Sequence, residues 1–74
     1  MSASTAHVVA FVNGARVEVP SGTTVVDAVA VADAGAAAAV RAGTMSVVDS
    51  RGIAVAADHV VSGGYVMRLV PVRA

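Results

Sequence analysis

Apolar residues in this chain fall into runs of two different periods, separated by short polar punctuation. His7-Val8-Val9-Ala10-Phe11-Val12 is a β-rich run. Asn13-Gly14 behind it is the strongest short hairpin signal, because both positions tolerate the positive φ of a type I′ turn. Ala15-Arg16-Val17-Glu18-Val19 then alternates, with Val17 and Val19 on one face and Arg16 and Glu18 on the other. Pro20 ends this strand and Ser21-Gly22 turns the chain.

Beyond the turn the period changes. Val25, Val26, Val29 and Ala32 recur at helical spacing, Thr23 or Thr24 can act as N-cap, and Asp27 complements the helix dipole. Asp33-Ala34-Gly35 either ends this helix or lies inside it. Residues 36–40 are alanine-rich, and Arg41-Ala42-Gly43 has the cation and the glycine of a helix C-terminus. One helix with a weak spot and two short pieces both fit residues 34–43.

Extended segments return after Gly43. Met45-Ser46-Val47-Val48 predicts a third strand, and Asp49-Ser50-Arg51-Gly52 has the residues of a type I turn. Ile53-Ala54-Val55 can pair back as a short strand, Val60-Val61 can extend, and Ser62-Gly63-Gly64 turns again. A final strand runs from Tyr65 to about Val72, with Pro71 placing its end at an edge or beyond the paired region. The order ββαββ predicts an α+β fold with one core.

Composition narrows the functional classes. At 74 residues the chain is one small domain that buries only about 60% of its unfolded surface. It has no cysteine, hence no disulfide, thiolate ligand or thiol nucleophile. His7 and His59 show no metal-ligand spacing, so neither a metal nor another cofactor is expected. Hydrophobic residues make up 57% of the chain, but no apolar run reaches the length of a membrane span. The first residues lack the basic and apolar regions of a signal peptide, and cytoplasmic residence is the default expectation. Formal net charge is zero, with five arginines against five acids. That balance lacks the basic stripe of a nucleic-acid binder and favours association, including self-association.

Candidate chemistry is sparse. Gly63-Gly64 lacks the following helix and lysine of a phosphate loop and reads as a plain turn. Asp58 and His59 could form an acid–base dyad, but sequential neighbours point apart and no nucleophile accompanies them. No constellation supports an enzyme.

Three segments resemble the β-grasp, ubiquitin-like sulfur carriers of thiamine and molybdopterin synthesis. Val12–Val19 is similar to their opening hairpin, residues 20–29 to their Gly-x-Thr-Val helix entry, and residues 58–69 to their closing turn and strand. The resemblance implies a mixed sheet of four to five strands packed on one helix, with the first and last strands adjacent. It also implies a terminal glycine carboxylate, adenylated and converted to a thiocarboxylate, and here the chain departs: Arg73 and Ala74 stand where the family has Gly-Gly. The reading that follows is a non-catalytic interaction module or small accessory subunit of a larger assembly. The alternative is a sulfur-carrier-like protein with a diverged or truncated tail. Tyr65, Met67 and Leu69 share one face of the last strand, and Val66, Arg68, Val70 and Val72 the other. Both faces are largely apolar although one helix can cover only one of them. The expected partner-binding residues are therefore Val66, Arg68, Val70 and Val72 on the helix-free side, together with Arg73 at the end of the chain's last strand.

Overall fold

The computed structural model describes residues 6–72. Arg73 and all but Ala6 of the tail expected over residues 1–6 lie outside that range. The elements run β1 (His7–Val12), β2 (Ala15–Pro20), α1 (Val25–Ala32), α2 (Ala34–Ala42), β3 (Met45–Asp49), β4 (Ala54–Val55) and β5 (Tyr65–Pro71).

The strands form one mixed sheet in the order β2-β1-β5-β3-β4, with β1 and β5 parallel at its centre. The hairpin β1–β2 closes through Asn13 at φ 50° and Gly14 at φ 84°, the left-handed pair that a two-residue type I′ turn requires. Asn13 also ties the hairpin to β5. Its N–H donates to Met67 O and its Oδ1 accepts from Leu69 N–H, each at 3.0 Å. Pro71 is the last residue of β5, opposite Met45, and Val72 N–H still donates to Thr44 O at 3.0 Å.

Of the two readings open for this region two short helices form, where the resemblance implies one, and Asp33 is the reason. Its extended backbone (φ −159°, ψ 102°) interrupts the helical path, its N–H closes α1 on Val29 O, and its carboxylate accepts Ala36 N–H at 3.1 Å to cap α2. Aspartate favours such positions because its side chain competes for nearby backbone donors. Gly35 does not break the helix. It sits inside the first turn of α2, where an added Cβ would meet the capping Asp33 Oδ1 at 3.3 Å. Helix α2 ends in a Schellman arrangement, with Gly43 N–H to Val40 O, Thr44 N–H to Ala39 O, and Gly43 left-handed at φ 83°.

At eight and nine residues the helices are too short to persist alone in water, so packing holds them. Val25, Ala28 and Val29 of α1 and Ala37 of α2 pack on Ala10, Val12, Val17, Val19, Val47 and Met67 of the sheet, with Val61 joining from the last loop. That loop also serves the N-terminus of α1. Val25 N–H donates to His59 O at 2.7 Å, Val26 N–H to Ala57 O at 3.0 Å, and Thr24 Oγ1 accepts Asp27 N–H. Arg41 and Asp27, both exposed, pair at 3.0 Å and tie the end of α2 to the start of α1. Among the described residues, no helix is long and apolar enough to cross a membrane.

Candidate functional site

Both helices lie on one side of the sheet, and the alternation of β5 divides its residues between the two sides. Met67 is fully buried in the core, with Tyr65 and Leu69 packed beside it. Val66 and Arg68 are exposed, Val70 is half-buried, and Val72 is 49% exposed just past the strand. Val66, Arg68 and Val70 therefore share the side away from the helices, as the alternation predicts.

The register shows what surrounds them. Phe11 of β1 stands beside Val66 in the parallel pair, and Arg16 of β2 stands opposite Phe11. Val9, two residues before Phe11 and so on its face, is half-buried. On the other flank Val48 of β3 lies opposite both Arg68 and Ala54, and Ser46 lies opposite Val70. The result is an apolar surface of Val9, Phe11, Val66 and Val70, with Arg68 set between Val66 and Val70 on the central strand and Arg16 and Glu18 at the β2 margin. Val48 is only 8% exposed although no helix covers it. Arg68, Ala54 and the diagonal Val66 and Val70 enclose it, the ordinary packing of cross-strand neighbours.

Val9, Phe11 and Val48 were not anticipated as part of this surface. The signal was present: β1 reads apolar on both faces in the same way as β5, and only strand order was needed to bring the two outer faces together. Of the expected residues, Val66, Arg68 and Val70 are gathered on one face. Val72 follows the strand end, and Arg73 lies outside the described residues.

The Gly63-Gly64 candidate is a turn. Tyr65 N–H donates to Ser62 O at 3.1 Å across Gly63-Gly64, with Gly64 left-handed at φ 77°, as a type II turn needs at that place. Gly64 N–H also donates to Val9 O at 2.8 Å, so this turn sets where β5 begins beside β1. His59 meets the Tyr65 ring at 5.8 Å between centroids, and no hydrogen bond joins it to Asp58 among the described residues. Asp49 holds the β3–β4 turn: its carboxylate accepts Ile53 N–H (3.0 Å), Arg51 N–H (2.9 Å) and the Arg51 guanidinium (3.0 Å). The Ile53 N–H first, and then the Arg51 guanidinium, keep that carboxyl below its ordinary pKa. No family model, curated protein or solved structure matches the chain.

Proposed function

We propose that this chain is a β-grasp, ubiquitin-like interaction module without catalysis of its own, serving as a small accessory subunit of a larger protein assembly. The central parallel pair β1–β5, with the hairpin on one flank and β3–β4 on the other, supports the β-grasp reading. The observation that carries the functional reading is the uncovered apolar face built around the neighbouring Phe11 and Val66. Exposed apolar area of this kind marks interaction surfaces, and an aromatic with arginines beside it is a composition such interfaces favour.

Affinity capture from the native host with the full chain as bait tests this reading. A partner retained by the wild type and lost with both Val66→Asp and Arg68→Glu is the expected result. Ala38→Arg, at an exposed position on α2 across the molecule, should leave capture intact. Capture that survives both sheet substitutions would remove this face from the function. The sulfur-carrier alternative predicts a different observable. With an activating enzyme, ATP and a sulfur source, the chain would gain the mass of a terminal thiocarboxylate.

A further inference from the structure

Strand β2 forms one edge of the sheet, and the two-residue β4 forms the other. In the antiparallel ladder with β1, alternate residues of β2 turn their N–H and C=O toward β1 and the rest turn them outward. The tight turn closes on the Val12–Ala15 pair, and beyond the strand Ser21 N–H donates to Ala6 O at 2.8 Å. Residues 15, 17, 19 and 21 therefore face β1, while Arg16, Glu18 and Pro20 face the open edge. Pro20 has no N–H to offer, and its oxygen already accepts the Thr23 N–H (3.1 Å) and the Thr23 hydroxyl (2.6 Å). What stays open is the N–H and C=O of Arg16 and of Glu18. Neither side chain takes part in an ion pair among the described residues.

We infer that this stretch pairs with the same stretch of a second copy, antiparallel, about a two-fold axis midway between the two copies of Val17. In that register Arg16 of each protomer stands opposite Glu18 of the other. Both residues present outward-facing amides, so the two pairs exchange four backbone hydrogen bonds and use every open group. The side chains bring opposite charges together on the open face, an arrangement that stabilises a cross-strand pair. Neighbouring registers lose on both counts. Centring on Arg16 or on Glu18 sets like charges opposite each other, and the Glu18-centred register also meets Pro20, which cannot donate. Charge and hydrogen bonding thus select one self-complementary alignment, the isologous contact of a two-fold dimer. Because the axis is normal to the sheet, the open faces of both copies lie on the same side and form one continuous surface.

The contact is short, well under the roughly 1,200 Å² of a stable interface, so the dimer is weak, with a dissociation constant of roughly 0.1–1 mM. Sedimentation equilibrium of the full chain from about 10 μM to about 2 mM brackets that range. Concentration-dependent dimerisation is expected, with hydrogen exchange slowing at the Arg16 and Glu18 amides as the dimer fills. Arg16→Glu and Glu18→Arg each set like charges opposite and should weaken self-association at least about tenfold. Mixed in equal amounts, the two variants should form a heterodimer, because the edge that carries two acids then faces the edge that carries two arginines. Circular dichroism verifies that each variant is folded. A chain that stays monomeric at the highest concentration, single variants that dimerise like wild type, a mixture that does not associate, or exchange that slows elsewhere in place of residues 16 and 18 would each overturn the proposal.

Discussion

The covered and open faces of this sheet both carry apolar side chains, valines above all, yet they differ in what those side chains do. On the covered side Ala10, Val12, Val17, Val19, Val47 and Met67 meet two helices and lose their contact with water. On the open side Val9, Phe11 and Val70 stay half-buried and Val66 is exposed. Met67 and Val66 are sequence neighbours at 0% and 39% exposure. Hydrophobicity of a strand therefore does not by itself assign a residue to the core. The assignment comes from which face the helices reach, and the other face is left with apolar area to spare.

The comparison breaks most readily at β5. Met67→Ala should cost about 2–5 kcal/mol, because the removed atoms leave a cavity among packed neighbours. Against a total stability of about 5–15 kcal/mol for a domain of ordinary kind, that shifts the chemical-denaturation midpoint visibly. Val66→Ala, one residue away, should stay within about 0.5 kcal/mol. Equal losses at the two positions would show that the open face contributes to the core as much as the covered one does.

A smaller effect belongs to the joint that aligns the faces. Asn13 combines a left-handed backbone with an acceptor for Leu69 N–H. Asn13→Gly keeps the turn conformation and removes only the acceptor, so it should cost about 1 kcal/mol. Asn13→Ala loses the acceptor and strains the φ of 50° as well, so it should cost roughly 1 kcal/mol more. Thermal unfolding of the three chains separates the two contributions, and identical melting for the Gly and Ala variants would show that the turn conformation adds nothing.

Much of this fold was legible because its local signals agree with one another. Asn13-Gly14, the Thr24 cap, Gly43 and the Asp49–Gly52 turn each state their conformation in a few residues, and β5 states its two faces by alternation. Asp33 was harder to read. An aspartate in an alanine-rich stretch is compatible with a solvated helical position and with a cap, and only its extended backbone chooses between them. The site was half legible for a related reason. Val66, Arg68 and Val70 follow from one strand, whereas Phe11 and Val48 join them through pairings between residues far apart in sequence. Nor does the open edge of β2 follow from its residues alone. It depends on where the Val12–Ala15 pair sets the phase of the ladder.

The smallest effect concerns Val48, deeply buried on the open side. Its cover includes Ala54, which the turn after Asp49 brings back alongside β3. The Asp49 carboxylate holds that turn, and its pKa lies below the ordinary 3.8, chiefly through the Ile53 N–H. A carboxyl depressed on folding contributes stability that is present above the unfolded pKa and is lost as pH falls through the lower folded value. Between neutral pH and about pH 5 the hairpin should therefore be indifferent to acid, and below about pH 4 it should loosen. The Ile53 and Val55 amides should then exchange faster with solvent, while those of the central β1–β5 pair stay protected. Asp49→Asn should remove this acid-dependent step and leave the exchange of the central pair unchanged. An Ile53 amide that stays equally protected across the acid range would show that backbone pairing, without the carboxylate, keeps Val48 covered.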